Sequence, residues 1–432
     1  MQIRPIAIRS KQNVLINKNK TLLFQEKQDS LSYETIFVNK KPLIARGIIP
    51  SDKNINAFFE EISTQIFPDS NIHHSLSNLL KMGYVAFSTS TYNNLADPKS
   101  AIGIKLDKRK SAVQHCALLE EYIKNGVGVG INFSELNNPI YEIKKINEYF
   151  KYREPSLKRP PAGIALLNVT HPKIIDFISL KDSANYNDWC FDLSVVIDDD
   201  FLTKVDNEQD LILDDGTKID AKKVYFKLLE SMKKSGEPGV IFSSKKDFIC
   251  DSCAASELNE NEGLSLVQIN LARFYNKESK SFDYAFLSQS ANVLSMALKR
   301  IAPNGFISIL GYQDLLNQMG LEYGSNEAIE VLEKSLAIIK AQAQKENIRM
   351  CISPSGTTSR VLKTTPSIEP VDNPNATYWD EIDTMATAQK YLDGGISKTI
   401  NLKTRHTIQD IDLIIRACAK HGIKGVSIFP AQ

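Results

Sequence analysis

Amphipathic helical segments alternate with short apolar strands along most of this 432-residue chain, and this alternation limits the possible fold more than any other feature. Helical spacing of apolar residues begins near Ile55 and recurs in segments such as 112–125 and 408–420. Short apolar segments that predict strands lie between the helices, for example residues 163–169 and 306–310. Such alternation is typical of an α/β fold built on a mostly parallel sheet.

The segment before residue 50 differs from the rest of the chain. It predicts short strands and turns, with candidate strands at residues 21–24 and 35–38. No internal repeat, low-complexity tract or long flexible linker interrupts the sequence. A chain of 432 residues is long enough to bury a large hydrophobic core, as one large domain or as two.

The composition of the chain indicates which kinds of partner it binds and in which cellular compartment we expect it. Lysine and arginine number 52 against 51 aspartates and glutamates, a near balance that does not indicate a nucleic acid polymer as partner. Apolar runs stay below the roughly eighteen residues that span a bilayer, and no apolar stretch typical of a signal peptide follows Met1. Six cysteines in a chain of this length are not a disulfide framework. We therefore expect a cytoplasmic protein with reduced thiols and no membrane partner.

Cys253 has the most informative surroundings of any residue in the chain. It lies in a segment that reads D-S-C-A-A, between G-V-I-F-S at 239–243 and Q-I-N-L-A-R-F at 268–274. A free cysteine is most often a small buried hydrophobe. Together with Cys250 it also forms a C-x-x-C, but no second ligand pair lies at zinc spacing, so we predict no metal site. A short loop between two strands can shield a thiol from water and aim it at a substrate C–H bond.

A glycine-rich stretch at residues 126–134 reads G-V-G-V-G-I-N-F-S. Glycine lets the backbone approach a ligand closely, so Gly128 is a candidate for contact with a substrate. A plain tight turn between a helix and a strand is the alternative that this stretch leaves open.

A loop of small residues at 352–359 reads I-S-P-S-G-T-T-S and is followed by S-I-E-P-V at 367–371. Backbone N–H groups and hydroxyls at the end of a strand suit a phosphate, whereas a helix N-cap is the alternative. The candidate phosphate-binding residues of this loop are Pro354, Ser355, Gly356, Thr357, Thr358 and Ser359.

Taken in order, these stretches resemble the catalytic (large) subunit of ribonucleotide reductases, whose finger loop carries a thiyl radical on one cysteine. Further matching stretches are A-G-I-A-L-L-N-V-T-H-P at 162–172, F-D-L-S-V at 191–195, G-Y-Q-D-L-L at 311–316 and S-K-T-I-N-L at 397–402. The resemblance implies an α/β fold of the ten-stranded barrel type, with the finger loop through its centre and the radical on Cys253.

The resemblance also implies a domain organisation and an assembly. Its matches cover residues from about 75 to 429. We expect a short N-terminal region at residues 1–75 without the family's regulatory ATP cone, and a thiyl-radical barrel domain at residues 76–432. By the same resemblance we expect a homodimer.

The chain departs from the family at the cysteine pair that reduces the substrate. The segment that resembles the family's L-S-S-C puts Ser90 at the first cysteine, or Thr89 if the register shifts by one residue. Leu264 stands at the second cysteine. Ser88, Thr89 and Ser90 remain candidates for contact with the substrate, but none of these side chains can donate an electron. Cys250 or Cys190 are conceivable substitutes.

The finger loop departs from the family as well. Ala255 stands where the family has the glutamate that takes the 3′-hydroxyl proton, and Asp251 replaces an asparagine. Asp251 is therefore the nearer candidate for the general base, and Glu257 is a second candidate after a local shift of the loop. A solvated turn residue is the alternative for either acid.

Three functions follow from this combination of kept and lost residues. The first is a redox-neutral radical enzyme, for elimination or isomerisation, on a nucleotide-like phosphorylated substrate. The second is a minimal ribonucleotide reductase that takes electrons from an external reductant, and the third is an inactive homologue that binds a nucleotide. Because a thiol cannot generate a radical by itself, the first two need an external radical source. Adenosylcobalamin and a metal-bearing partner subunit are the sources that we expect.

Overall fold

The computed structural model describes residues 38–182, 188–402 and 406–429. The candidate strand at 21–24 lies outside these residues, as does all but the last residue of the candidate strand at 35–38.

The helices within the described residues include those that the sequence predicts at 112–125 and 408–420. Capping boxes begin both of them: Ser111 pairs with Gln114, and Thr407 with Asp410. Within the described part of the chain, no helix combines the length and the apolar character needed to cross a bilayer. The helices are Lys41–Ala45, Ile55–Ile66, Ile72–Lys81, Thr89–Asn93, Ala112–Lys124, Pro139–Arg153, Ile174–Ile178, Asp199–Asp206, Ala221–Ser235, Tyr284–Ile301, Tyr312–Met319, Asn326–Ala343, Gly356–Leu362, Tyr378–Gln389 and Ile408–Lys420.

The strands alternate with these helices. They are β1 Val85–Phe87, β2 Ala101–Lys105, β3 Gly128–Asn132, β4 Gly163–Asn168, β5 Phe191–Ile197, β6 Asp210–Ile212, β7 Lys218–Asp220, β8 Gly239–Phe242, β9 Gly263–Leu264, β10 Leu266–Asn270, β11 Tyr275–Asn276, β12 Ser281–Phe282, β13 Phe306–Leu310, β14 Arg349–Met350, β15 Thr399–Asn401 and β16 Gly425–Phe429. Every residue of β3, β4, β10 and β13 is buried, as in parallel strands that are covered on both faces.

Most strands belong to two sheets. The larger sheet has eight strands in the order β15-β16-β8-β5-β4-β3-β2-β9, and the smaller has the order β1-β10-β13-β14. Strands β2, β3, β4, β5 and β8 run parallel, whereas β9, β16 and β1 join their neighbours antiparallel. This arrangement confirms the α/β class with a largely parallel sheet.

The two sheets meet at two places. Ser265 alone separates β9 from β10, so the chain passes directly from one sheet to the other. Ile352, after β14, forms a parallel bridge with Ile396, before β15. The observed pairing is thus eight strands plus four, and a closed ten-stranded barrel stays a prediction.

Helices before β1 pack on the rest of this body. Helices Ile55–Ile66 and Ile72–Lys81 contact each other and the long helix Tyr284–Ile301. Arg300 of that helix donates to the Ile66 carbonyl at 3.3 Å. The domain boundary expected at residue 75 falls inside the helix Ile72–Lys81, and it stays a prediction.

Candidate active site

Residues 250–257 form a narrow loop, here called the finger loop, between β8 and β9. Cys250 and Glu257 form an antiparallel bridge at its base. The Asp251 N–H donates to the Ser256 carbonyl at 3.1 Å, and the Ala254 N–H donates to the Asp251 carbonyl at 3.1 Å. Ala254 adopts a left-handed conformation with φ of 54°, which completes the reversal of the chain. The loop is therefore a tight turn with Cys253 at its end.

Glycines of β2 and β3 make room for the finger loop. A Cβ on Gly128 would clash with the Ser252 hydroxyl, and one on Gly130 would overlap the Cys250 carbonyl. A Cβ on Gly103 of β2 would clash in the same way with Ile249. Gly128, expected to approach a ligand, thus packs against the loop that carries Cys253.

The opposite side of the finger loop packs against residues 394 and 395. The Gly395 N–H donates to the Ala255 carbonyl at 2.7 Å, and a Cβ on Gly394 would lie 2.7 Å from the same oxygen. Side chains from the large sheet hold the segment before the loop, because Asn132 donates to the Phe248 carbonyl at 2.8 Å and Asn168 to the Lys246 carbonyl at 2.7 Å. The loop is therefore fixed from both sides and at its base.

Cys253 is half-buried and lines a cavity of about 280 Å³ between β5, β8, β16 and the finger loop. Burial raises the pKa of the Cys253 thiol to about 12, and the Asp251 carboxylate adds to the rise. The Ser252 hydroxyl, 3.8 Å from the sulfur, and the Arg159 guanidinium act in the opposite direction. At neutral pH the group is thus a thiol, not the thiolate that nucleophiles and metal ligands require.

Asp251 is buried within the finger loop and does not line the cavity. Its carboxylate accepts hydrogen bonds from the backbone N–H of Ser256 at 2.6 Å and of Cys253 at 3.0 Å. Burial raises the pKa of this carboxyl to about 6, although the N–H groups of the loop counteract the rise. The geometry makes Asp251 the residue that shapes the turn under Cys253.

Glu257 lies at the base of the finger loop, where it forms an ion pair with Lys245. The cavity lining does not include it. The local shift that the sequence required for Glu257 to reach the substrate is therefore not seen.

The carboxylates that do line the cavity are Asp192, Glu237 and Glu369. Asp192, on β5, is near enough to interact electrostatically with the Cys253 thiol and raise its pKa. Lys181 and the Leu193 N–H, each at 2.8 Å, hold Glu237, whose pKa burial raises. The cavity is thus polar and acidic on the side of β5.

A buried lysine balances part of this acidity. Lys398, just before β15, forms ion pairs of 2.5 Å with Glu369 and with Glu381. Hydroxyl groups complete the polar lining, from Ser194, Ser252, Ser397, Thr399 and Ser427. Sequence reasoning missed Asp192 and Lys398 as site residues. The available signal was one charged residue in each of two strand motifs, F-D-L-S-V and S-K-T-I-N-L.

The expected phosphate loop meets the cavity at Pro354, which lines it together with Cys253. Ser355 has φ of 51° and begins the helix Gly356–Leu362. The buried Gln268 of β10 donates to the Ser355 hydroxyl, while its Oε1 has no hydrogen-bond partner among the described residues. The space beside the Gly356 Cα is open.

The remaining residues of this loop are less accessible. Thr358 and Ser359 are buried, and the Ser359 hydroxyl donates to the Gly356 carbonyl at 3.0 Å. Thr357 is half-buried and accepts two contacts of 3.5 Å from the guanidinium groups of Arg46 and Arg360.

Ser88, Thr89 and Ser90 lie next to β10 and not on the cavity lining. The Ser88 N–H donates to the Leu266 carbonyl at 2.9 Å, two residues before Gln268. Its hydroxyl caps the helix Thr89–Asn93 by accepting the Thr91 N–H at 3.3 Å. The structure thus brings this segment to the strand that supports the phosphate loop.

The cysteines other than Cys253 are buried or half-buried free thiols. Cys250 packs among apolar residues below the finger loop. Cys190, before β5, does not line the cavity, and its backbone N–H donates to the Asn147 side chain at 2.7 Å. Cys351, which the sequence did not single out, packs in one cluster with Ala255 and Leu264. Leu264, which by resemblance stands at the family's second redox cysteine, therefore lies near the sulfur of Cys351.

One group of described residues could hold a metal ion away from the cavity lining. The ligand atoms of Glu60, His73 and His74 lie within 4.8 Å of one another. Glu60 also accepts a hydrogen bond from Ser77 at 2.6 Å and an ion pair from Lys81 at 2.7 Å, so its charge is already balanced.

Comparisons with known proteins agree with this geometry. The family model described as ribonucleotide reductase, barrel domain, matches residues 107–309, which include β3 to β5, the finger loop and β10. A vitamin B12-dependent ribonucleoside-diphosphate reductase of Thermoplasma acidophilum is 23% identical over 76% of this chain and 60% of its own length. A reductase of the same name from Mycobacterium tuberculosis is 21% identical over 63% of this chain and 56% of its own length.

The chain therefore spans less than two thirds of the length of these relatives. The part that matches the family model contains Gly128, Gly130 and the finger loop with Cys253. The match over residues 107–309 and the similarity to these reductases support membership of the ribonucleotide reductase large-subunit family.

Proposed function

We propose that the chain is a thiyl-radical enzyme of the ribonucleotide reductase type that acts on a phosphorylated, nucleotide-like substrate. The observation that carries this proposal is the protonated Cys253 thiol, which stands at the end of an immobilised loop and faces a polar cavity. A hydrogen atom can be given up and recovered by a thiol, whereas ionic roles need a thiolate. The proposed scaffold is the family's ten-stranded barrel around the finger loop.

In the proposed reaction, the Cys253 radical takes one hydrogen atom from a substrate C–H bond, which yields a thiol and a carbon radical. Asp192 shares the cavity with Cys253, and we assign to it the proton that leaves the neighbouring hydroxyl. Asp251 is a positioning residue, because its carboxylate is engaged with the N–H groups of its own loop.

The reaction that needs no further cysteine is elimination of water. Abstraction of the 3′-hydrogen is followed by departure of the 2′-hydroxyl with a proton, as water, while the 3′-hydroxyl loses its proton to the base. The resulting radical recovers a hydrogen atom from Cys253, which regenerates the thiyl radical and leaves a ketone. Atoms and electrons balance without a reductant. The minimal reductase with an external reductant is the second candidate, because Cys351 packs beside Ala255 and Leu264.

The substrate phosphate is proposed to bind at residues 353–359. Pro354 connects this loop to the cavity, and the open side of Gly356 leaves space for a ligand. The unpartnered Oε1 of Gln268 lies beneath the same loop, where a ligand hydroxyl could donate to it.

The names of the relatives favour adenosylcobalamin over a metal-bearing partner subunit as the radical source. A corrin ring is much larger than a cavity of about 280 Å³, so we assign none of the cavity residues to this cofactor. Homodimerisation remains a proposal by resemblance.

Isotope transfer from solvent tests this function. The protein is incubated with a ribonucleoside diphosphate and adenosylcobalamin in D₂O, and the products are analysed by mass spectrometry. Because a thiol exchanges its hydrogen with solvent, product formed through Cys253 should lack one water and carry deuterium at carbon. Cys253→Ala should give none of it, whereas the control Cys190→Ala should behave as the unchanged protein.

Other outcomes separate the alternatives. Full turnover by Cys253→Ala would overturn the radical function. A steady yield of 2′-deoxynucleotide would favour the minimal reductase. Tight nucleotide binding without any turnover in the presence of either radical source would favour the inactive homologue.

A further inference from the structure

Two adjacent histidines and a glutamate from neighbouring helices meet away from the cavity lining. His73 and His74 lie in the first turn of the helix Ile72–Lys81, and Glu60 lies in the helix Ile55–Ile66. The His73 Nε2 lies 3.9 Å from the Glu60 Oε1, and the His74 Nδ1 lies 3.3 Å from the same oxygen. These three ligand atoms all lie within 4.8 Å of one another. We call the three residues the histidine site.

A backbone carbonyl fixes the His73 ring in an orientation that suits a metal ligand. The His73 Nδ1 lies 2.7 Å from the Ser70 carbonyl oxygen. Because a carbonyl oxygen can only accept, Nδ1 carries the proton, and the Nε2 of the neutral ring then bears a lone pair. This Nε2 lies next to a second acceptor, the Glu60 Oε1. A cation bound by both atoms makes their contact favourable, and metal-bound histidines usually donate their other ring N–H to such a partner.

The Glu60 carboxylate turns one of its two oxygens to the histidines. Ser77 donates to Oε2 at 2.6 Å and Lys81 donates to it at 2.7 Å, whereas Oε1 is the oxygen beside the ring nitrogens. Although burial acts in the opposite direction, the hydrogen bonds from Lys81 and Ser77 hold the pKa of Glu60 below its usual value. The ion pair with Lys81 therefore keeps Glu60 ionised and in place without occupying Oε1.

The distances fit a small divalent ion with nitrogen and oxygen ligands. Around a tetrahedral zinc ion with bonds of about 2.0–2.1 Å, neighbouring ligand atoms lie about 3.4 Å apart. The separation of 3.3 Å between His74 and Glu60 already matches this value. The separation of 3.9 Å at His73 needs a movement of that ring by about 0.5 Å. Because 64% of the His74 side chain is exposed, water can take the fourth position.

We propose that the histidine site binds a divalent transition-metal ion of the zinc type, which cross-links the two helices that carry its ligands. Both helices contact each other and the long helix Tyr284–Ile301, so the ion would strengthen the packing of the segment before β1 on the rest of the body. Structural zinc sites usually have four protein ligands, and we therefore expect weaker, reversible binding at these three. The expectation of no metal site rested on the spacing of cysteines, whereas this site uses histidines.

Titration of the whole, EDTA-treated protein with Zn²⁺ tests the site by calorimetry. His73→Ala and His74→Ala should each weaken Zn²⁺ binding by about tenfold or more, because each removes a ligand. The exposure of His74 makes its variant a mild change for the fold. Titration with Co²⁺ reports the ligand type, since imidazole and carboxylate ligands give no sulfur-to-cobalt charge-transfer band. That band would appear if a cysteine bound the ion.

Two control variants and one stability measurement accompany the titrations. His421→Ala removes an exposed histidine that follows the helix Ile408–Lys420 and should leave Zn²⁺ affinity unchanged. Lys81→Gln removes the ion pair of Glu60 but no ligand, so it should bind Zn²⁺ at least as tightly as the unchanged protein. Free Zn²⁺ at about a hundredfold above Kd should raise the melting temperature by about 1–3 °C, and should not do so in His74→Ala.

Three results would overturn the proposal. The first is equal Zn²⁺ affinity in the unchanged protein, His73→Ala and His74→Ala. The second is binding that saturates only at millimolar Zn²⁺, which would mark an adventitious ion only. The third is an equal loss of affinity in Lys81→Gln and His74→Ala, because these residues would then act through helix packing. None of these measurements uses turnover, so their outcome is independent of the proposed function.

Discussion

The Asp251 carboxylate accepts a hydrogen bond from the backbone N–H of Cys253 at 3.0 Å, within the turn of the finger loop. The same carboxylate holds Ser256 on the far side of the turn. Asp251, which the sequence predicts as a general base, thus accepts hydrogen bonds that hold Cys253 in place. We therefore propose that this acid positions the sulfur, whereas a role as general base stays a prediction.

This role predicts an unusual dependence of stability on pH. Burial raises the pKa of Asp251 in the folded protein from 3.8 to about 6. Because the folded state then binds the proton more tightly than the unfolded state, the contribution of this group is fully present below the unfolded pKa and is lost as pH rises through the folded pKa. Between about pH 4 and 6, unchanged protein should lose on the order of 3 kcal/mol relative to Asp251→Asn.

Urea unfolding of both proteins at several pH values measures this difference. A difference between the two free energies of unfolding that stays constant across the range would mean that Asp251 is not buried with a raised pKa.

Variants of Asp192 and Glu257 distinguish a general base in the cavity from a carboxylate in a surface ion pair. Asp192→Asn should abolish turnover, because Asp192 lines the cavity with Cys253. Glu257→Gln should keep turnover and change the free energy of unfolding by less than about 0.5 kcal/mol, since its partner Lys245 is exposed. Steady-state rates of the two variants decide the assignment. Loss of activity in Glu257→Gln alone would return the role of base to the finger loop.

The glycines under the finger loop give a prediction about positioning. Gly130→Ala should destabilise the protein by about 1–3 kcal/mol, because the new methyl overlaps the Cys250 carbonyl. It should also lower turnover by displacing Cys253. Gly356→Ala is the matched control for stability, since nothing lies within 4 Å of its new methyl. Equal stability of the two variants, measured by urea unfolding, would show that the loop does not press on β3.

Local signals explain why much of the fold could be predicted from the sequence. Ser111 and Thr407 cap their helices through residues three positions later, so the helix starts at Ala112 and Ile408 needed no tertiary information. Apolar strand segments likewise predicted β4 and β13 to within one residue. These elements depend on neighbours in sequence.

The site could be predicted only in part, because its contacts join residues that are far apart in sequence. Cys253 and Pro354 were identified through the resemblance, and they do share a cavity. Asp192 enters that cavity only because β5 pairs with β8 in one particular register, which no local pattern gives. Arg46 likewise reaches Thr357 across 311 positions of the sequence, whereas Arg360 contacts Thr357 from the next turn of the same helix.

The last prediction concerns the source of the electrons that would reduce a substrate. Reduction coupled to thioredoxin needs two cysteines with Cα atoms within about 7 Å of each other, so that a disulfide can form. The positions that should supply them are Thr89 or Ser90, in the helix Thr89–Asn93, and the buried Leu264. Hydroxyl and isobutyl groups cannot cycle between thiol and disulfide at any pH.

Incubation with ribonucleoside diphosphate, thioredoxin and a radical source should therefore give no sustained yield of 2′-deoxynucleotide. Multiple turnovers that depend on thioredoxin would show that another pair has taken over. Cys351 would then be the first sulfur to test, because it packs with Leu264 and Ala255 at the finger loop. Loss of those turnovers in Cys351→Ser, with Cys418→Ser as the buried control, would make the protein a reductase with a relocated cysteine.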